Sequence, residues 1–373
     1  MASGFSLKDE LFNATSVGQL GGWFGRTGAV DAARFEQAVM SRLGELELKA
    51  RIAWIAECLL AELPDSLPEA APILRAALPP PLDPTLTDDD FGSFILAPFG
   101  EVVVALGLED HPDLSLNLLE EITQRFSMEF SIRPYLIRWP DLVLDRMQHW
   151  AGHDNYHVRR LVSEGTRPKL PWAQAVRLDP ARTLALLDRL HDDPTRYVTR
   201  SVSNHLNDIT KQTPELVLDR LTAWRGLDRQ RKSELDWMTN HALRGLIKQG
   251  DGRALAMVGY DPDAPVAVQS FDVPARAAIG DAVEISATLT SEAETGVLVD
   301  YIFWRRRANG ALAPKVHKLK TGRLKPGKPL VLAKRHVFKG DATTYRLYPG
   351  LQRMSLQVNG RIVADTDIDL VEP

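Results

Sequence analysis

Cysteine is almost missing from this sequence: of 373 residues, only Cys58 is one. A single thiol excludes an intramolecular disulfide and argues against a cysteine-built metal site, so a reducing compartment is expected. An apolar N-terminal run with a basic start is also missing, as is any uninterrupted apolar stretch of about 18 residues. The expectation is a soluble, cytoplasmic protein with no membrane partner. Phosphate-binding loops, nicotinamide fingerprints, HExxH and paired CxxC motifs do not occur, which removes support for the common nucleotide- and zinc-dependent chemistries. His153 and His157 lie four apart near Asp154, a spacing that could place two ligands on one helix face. No third ligand is well placed beside them, so they are read as structural, and no metal or cofactor is expected.

Charge of one sign is scarce in particular places. Residues 1–118 carry 7 basic and 18 acidic side chains, a net of −11, whereas residues 119–250 carry 21 and 17 and residues 251–373 carry 17 and 14. Between Tyr301 and Arg361 there are 15 Lys or Arg and one acid, Asp341. Like charges at that density repel unless a polyanion is near, which points to a nucleic-acid surface on the last third of the chain. The acidic first third, including Asp88-Asp89-Asp90, is expected to face away from it.

What is present is a helical pattern followed by a strand pattern. Apolar residues three and four apart predict helices over Ala32–Leu48, Lys49–Leu63 and Glu69–Leu78, with another starting at Phe91. An internal repeat follows. PDLVLDRMQHW (Pro140–Trp150) recurs as PELVLDRLTAW (Pro214–Trp224), and Leu187-Asp188-Arg189-Leu190 echoes its LDR core after Pro180. Val158, Arg160 and Val162 recur 40 residues on as Val198, Arg200 and Val202, and Asn204-His205 recurs as Asn240-His241. Helix pairs repeating every 36–40 residues mark a HEAT-like α-solenoid, each pair burying its apolar face against the next. After Gly250 the runs Ala282–Leu289, Val297–Trp304, Val316–Leu319, Leu330–Ala333 and Met354–Val358 alternate or are β-branched, and Asn359-Gly360 is a type I′ hairpin signal. About seven short strands suggest a sandwich. The fold class is therefore mainly α, a HEAT-like solenoid over 1–255 followed by a small all-β immunoglobulin-like sandwich over 262–373.

Two stretches carry candidate chemistry. In RRLVSEGTRPKLPW (Arg159–Trp172), Gly165 lets the backbone leave a helix, and Pro168 and Pro171 forbid its return. Arg159, Arg160, Arg167 and Lys169, with Glu164 and Trp172, make a cationic, aromatic elbow suited to a phosphate backbone, or else a helix cap and a loop. From Leu118 to Phe130, a predicted helix repeats Glu121, Arg125, Glu129 and Arg133 every four residues, either a surface ladder of ion pairs or one wall of a groove. In a solenoid, Glu129, Arg160, Glu164, Asn204 and Asp208 would converge along that groove.

The segments MEFSIRPYL (Met128–Leu136), VRRLVSEGTRPKLPW (Val158–Trp172) and SVSNHLNDITKQTPELV (Ser201–Val217) resemble the AlkC branch of the AlkC/AlkD-type DNA alkylation-repair glycosylases. KVHKLKTGRLKPG and YPGLQRMSLQVNG resemble the immunoglobulin-like domain appended in part of that branch. The resemblance implies a monomeric glycosylase that excises cationic N-alkylated bases, such as 3-methyladenine and 3-methylcytosine, from double-stranded DNA without metal or cofactor. It also implies that the C-terminal domain helps grip the duplex and that the lesion is not fully flipped; the expected place of work is the nucleoid of the bacterial cytoplasm. Matched to these motifs, the acidic positions fall on Glu129, Glu164 and Asp208 and the aromatic one on Trp172. Phosphate contacts are assigned to Arg133, Arg159, Arg160, Arg167, Lys169, Arg200 and Lys211, and in the sandwich to Arg305, Arg306, Lys318 and Lys320. A cationic base is already a good leaving group, so what needs stabilising is oxocarbenium-like charge on the sugar, which a carboxylate in a partly dry groove can supply. The alternatives are a non-catalytic HEAT scaffold binding nucleic acid or protein, and an RNA-binding accessory protein.

Overall fold

The computed structural model describes residues 6–85, 91–342 and 345–372. The helices, in order, are α1 (Leu7–Leu11), α2 (Ala14–Gly25), α3 (Ala32–Leu43), α4 (Leu48–Leu60), α5 (Leu67–Ala77), α6 (Ala97–Gly107), α7 (Pro112–Thr123) and α8 (Ile132–Arg138). They continue as α9 (Pro140–Trp150), α10 (Tyr156–Gly165), α11 (Pro180–Leu187), α12 (Arg196–Ile209), α13 (Pro214–Leu227), α14 (Lys232–Gln249) and α15 (Gly252–Met257). The strands are β1 (Val266–Asp272), β2 (Arg276–Ala278), β3 (Ala282–Ser291), β4 (Thr295–Arg306), β5 (Leu312–Leu324), β6 (Leu330–Val337), β7 (Gly350–Val358) and β8 (Arg361–Val371). Contacts group Met1–Pro214 with Thr222–His241 into one compact unit, and Glu215–Leu221 with Ala242–Pro373 into another.

Helix starts follow local chemistry. Proline occupies the first turn of α5, α6, α7, α9, α11 and α13, where its missing N–H has no intrahelical acceptor and its fixed φ suits the helix. Asp31, Asn155 and Asp179 cap α3, α10 and α11 by accepting a backbone N–H from the first turn.

The repeat is visible as repeated contacts. The indole of Trp150 donates to Glu120 at 2.5 Å, and that of Trp224 to Asp188 at 2.8 Å. Arg159 at the start of α10 pairs with Asp193 just before α12, at 2.6 Å, and Arg196 at the start of α12 donates to Glu234 in the first turn of α14, at 2.8 Å. His205 bonds the Ser163 carbonyl at 3.0 Å and His241 bonds Asn204 at 2.9 Å, joining successive second helices. Val158, Leu161, Val162, Val198 and Val202 are fully buried, each contributing about 1.5–3 kcal/mol of apolar burial. This is a solenoid-like stack of helices.

Several boundaries differ from expectation. The helix expected over Ala32–Leu48 stops at Leu43, with Gly44 as its C-cap. Asp88–Asp90 lie outside the described residues. Phe91 does not start a helix. A 3₁₀ turn at Phe94–Leu96 leads into α6, whose first turn takes Pro98. Gly92 instead bridges Phe126 as an isolated β-pair, with φ of +79° and a position where a Cβ would lie 1.8 Å from the Arg125 carbonyl oxygen. Leu118–Phe130 is not one helix. The chain leaves α7 at Thr123, whose hydroxyl accepts the Met128 N–H at 3.1 Å, and resumes at Ile132, because Phe126 and Met128 turn into the core. The four-residue stripe is thereby dispersed: Glu121 pairs with Arg75, Arg125 binds the Pro79 carbonyl, and Glu129 and Arg133 part company.

The sandwich has one sheet ordered β1-β3-β6 and another ordered β2-β8-β7-β4-β5. All pairs are antiparallel except β2 with β8. Eight strands stand where about seven were expected. Inward residues of β3 (Ile285, Ala287, Leu289) meet Tyr301, Phe303 and Met354 at one end of the core, and Val297, Val299 and Leu356 at the other. The β7–β8 turn is Asn359-Gly360, at φ of 46° and 83°, as a type I′ turn requires.

Candidate functional site

The elbow after α10 is built around Arg133. Gly165 lets α8 approach the end of α10, since a Cβ there would come within 2.8 Å of Ile132 Cγ2. The next residue, Arg133, is fully buried and donates to the carbonyls of Gly165 and Arg167 at 2.9 Å each, of Pro168 at 3.4 Å, and of Gln174. A loop with two prolines leaves its carbonyls without helical or sheet donors, and one guanidinium supplies them. Burial, with Arg167 nearby, lowers the Arg133 pKa to about 10. The assignment of Arg133 to a DNA phosphate is therefore corrected: every direction of its fork is spent on the loop.

That loop carries Trp172 into solvent. The residue is 61% exposed, and its backbone holds φ of +67°, a region a bulky residue enters only when the surroundings demand it. Lys49 donates to its carbonyl. Trp172 forms one edge of a recess of roughly 340 Å³ that also contains Glu129, Glu164, Arg160, Tyr197 and Phe91.

An alternating chain of charge begins in the recess at Glu129 and leads out of it to Asp208 and Lys211. Arg160 donates to Glu129 at 2.7 Å and lies 3.7 Å from Glu164. Arg167 pairs with Glu164 at 2.5 Å and Asp208 at 2.8 Å, and Lys211 with Asp208 at 2.8 Å. The Arg160 guanidinium sits 4.5 Å from the centre of the Tyr197 ring and 5.7 Å from that of Phe91. Burial opposes charge on Arg160, but Glu129 and Glu164 hold its pKa above the ordinary value. Burial would likewise raise Glu164, yet Arg160, Arg167 and the Ser201 hydroxyl at 2.6 Å hold it below the usual carboxylate range.

The two carboxylates are not equivalent. Glu164 is 6% exposed at its side chain and surrounded by donors, whereas Glu129 is 17% exposed and held by Arg160 and the Ser127 hydroxyl at 2.9 Å. Glu129, Glu164 and Trp172 are thus brought together. Asp208 does not line this recess; Arg167 links it to Glu164, and it lines a second depression along the same loop. Of the four basic residues of the elbow, Arg159 is committed to Asp193 and to the carbonyls of His153 and Asp154, and Arg160 and Arg167 to the carboxylates. In the folded chain internal acids thus hold all three of the guanidiniums that were assigned to phosphates. Lys169 is exposed, Lys211 is largely exposed beside Asp208, and Arg200 lines the recess. In the sandwich, Lys318 and Lys320 are exposed on edge strand β5, and Arg305 and Arg306 close β4.

Sequence reasoning missed Phe91, Ser127, Tyr197 and Ser201. The 40-residue register places Tyr197 at the position of His157, which is the one signal that could have found it. His153 accepts the Asn155 N–H at 2.9 Å, and His157 is buried against Tyr156, so neither presents a metal face. Among the described residues no group of three or more His, Cys, Asp or Glu could hold a metal ion, and no helix is long and apolar enough to cross a membrane.

One buried base below the recess has a measurable consequence. Burial lowers the His205 pKa to about 4: Nδ1 bonds the Ser163 carbonyl, while buried Nε2 has no partner to share an added proton. Below about pH 6.5 the unfolded chain protonates this imidazole and the folded chain does not, so stability present above pH 6.5 is lost as pH falls toward 4. Between pH 7 and pH 5 the loss from this group should be about 2 kcal/mol in urea unfolding. A His205→Asn chain should lose correspondingly less; an equal loss would show that other groups set the pH dependence.

Known proteins resemble this chain as follows. Residues 267–372 match the family described as "Uncharacterised protein YhaZ, C-terminal Ig-like domain". The uncharacterized protein YhaZ of Bacillus subtilis (strain 168) is 32% identical over 330 residues, covering 87% of this chain and 88% of that protein. The structure of Pseudomonas fluorescens alkylpurine DNA glycosylase AlkC, bound to DNA containing an abasic site analog, superposes with a TM-score of 0.86 at 33% identity. That match covers 98% of this chain and all of the other.

Proposed function

The chain belongs to the family of AlkC and YhaZ, and from that membership we propose that it is a DNA glycosylase of alkylation repair. Its substrates would be cationic N-alkylated bases such as 3-methyladenine and 3-methylcytosine in double-stranded DNA, and its working form a monomer in the bacterial cytoplasm. The observation that carries this reading is the pairing, in one recess, of the partly exposed Glu129 carboxylate with the exposed, backbone-strained indole of Trp172.

The residue types suit the reaction. A cationic base leaves with its bonding electrons and becomes neutral, so no strong acid has to protonate it. The deoxyribose is left with oxocarbenium-like positive charge, which a carboxylate fixed in a low-dielectric recess stabilises and a π face accommodates. Water then adds at the anomeric carbon and gives up a proton, with Glu129 placed to orient it. Ser127 and Ser201 donate to Glu129 and Glu164 and so help hold the two carboxylates in place, and both nearby imidazoles, His157 and His205, are buried. Charge stabilisation by Glu129 is the role we assign to the recess. Glu164 and Asp208 act through the arginines they hold, keeping Arg160 and Arg167 in place.

Incubating the protein with methylated duplex DNA, with no metal or nucleotide added, should release free 3-methyladenine and leave abasic sites. Binding without any released base would leave the scaffold reading in its place.

A further inference from the structure

The recess that holds Glu129 adjoins a second cavity of roughly 330 Å³, and the two share Phe94, Phe130 and Trp172 in their walls. The second cavity also takes Leu48 and Ile52 from α4, four apart and so on one helix face, and Glu101 from α6. Its walls are set by contacts already made. The Phe94 ring is packed 4.8 Å from that of Phe126. Lys49 donates to the Trp172 carbonyl, buried Arg133 donates to that of Gln174, and the Ala173 N–H donates to the Leu170 carbonyl at 3.2 Å. The elbow loop therefore forms a fixed side of this cavity as well as an edge of the recess.

Glu101 supplies the carboxylate of this mostly apolar lining, and among the described residues its side chain has no ion pair or hydrogen bond. The residue as a whole is exposed, yet the protein around its carboxyl desolvates it and pushes its pKa up, with no neighbouring charge to offset this. An apolar, aromatic cavity with one free acceptor is an ordinary small-molecule site. Its chemistry selects a flat heterocycle bearing an N–H. Aromatic side chains stack on any base, and a carboxylate accepts from the exocyclic amino group of a cytosine- or adenine-type ring. A nucleotide is a poor match. The one cation in the lining, Lys49, is already engaged by the Trp172 carbonyl, and Glu101 would repel a phosphate. The complementary ligand is a base without its sugar phosphate.

We propose that this cavity takes the free base once it has left the sugar, with its exocyclic amino group donating to Glu101 and its ring against the aromatic wall. The ligand rests on the glycosylase reading, so binding is measured without DNA and excision is measured apart from it. The full chain, Glu101→Leu and Ala53→Trp are compared by equilibrium dialysis against free 3-methyladenine. Ala53 is an exposed residue of the lining, so an indole there fills the cavity without opening the core. The parent should bind saturably, Glu101→Leu about tenfold or more weakly, the scale of one hydrogen bond to a charged group, and Ala53→Trp not at all. Adenine should bind the parent better than 6-methylpurine, in which a methyl replaces the amino group, and Glu101→Leu should lose that preference. No binding to the parent, or equal binding to parent and variants, overturns the site. Should Glu101→Leu not fold, Ala53→Trp and the adenine pair on the parent carry the comparison. If the parent releases 3-methyladenine from alkylated duplex but does not retain it, the product site alone falls. If it retains the base through Glu101 but releases none, the glycosylase reading falls and a base site stands.

Discussion

Glu129→Gln should slow release of 3-methyladenine from alkylated duplex by about 100-fold, the scale on which losing one preorganised electrostatic group acts. Glutamine keeps the shape and an oxygen that Arg160 and Ser127 can still donate to, at the positions now 2.7 and 2.9 Å away. What it removes is the negative charge beside the sugar, so the loss belongs in the single-turnover rate and not in DNA affinity. Glu164→Gln serves as the contrast. That carboxylate is enclosed by Arg167, Ser201 and Arg160. Its replacement leaves two guanidiniums short of a counter-charge, and its effect belongs in stability as well as rate. A Glu129→Gln protein that melts like the parent and excises base at the parental rate would end the assignment of this residue.

Arg133→Met should destabilise the protein by about 3–5 kcal/mol, because it strips the donor from several buried carbonyls at once. Four carbonyls converge on that guanidinium, and methionine fills the space while donating nothing. Buried carbonyls left unpaired cost about 1–3 kcal/mol each unless water reaches them. The elbow would loosen first, so surviving protein should also lose the fixed placement of Trp172. The check is urea unfolding of the full chain. A change below about 1 kcal/mol, well inside the ordinary spread for point substitutions, would mean the loop holds its shape by other contacts. Arg133→Lys should fall between the two, since an ammonium has fewer donors and no fork.

Different levels of the structure were unequally legible. Pro140–Trp150 and Pro214–Trp224 could be aligned because corresponding helices of a solenoid meet the same local demands. Each needs a proline at the first turn, an apolar face, and an indole reaching an acid on the first helix, or its C-cap, of the preceding pair. Asn359-Gly360 declared its turn because positive φ at two successive positions selects those residue types. The break after Thr123 was hidden, because Glu121, Arg125, Glu129 and Arg133 keep helical spacing while Phe126 and Met128 leave the helix to enter the core. Spacing reports where side chains would point if the backbone stayed regular, and tertiary burial decided that it does not.

The sequence alone thus determined the architecture, a stack of paired helices and then a sandwich, and brought Glu129, Glu164 and Trp172 forward as candidates. Those conclusions rest on periodicity, turn chemistry and motif resemblance, all of which are local. Which cation meets which anion was decided only by the tertiary structure. Arg133, Arg159, Arg160 and Arg167 read as a phosphate-binding surface when counted along the chain. Folded, they clamp carbonyls or neutralise acids 31 to 41 residues away, because a charge moved out of water must find a partner. In the sandwich, Arg305, Arg306, Arg307 and Arg346 form no ion pair among the described residues, and only the fold gathers residues 305–307 and 346 around one cavity.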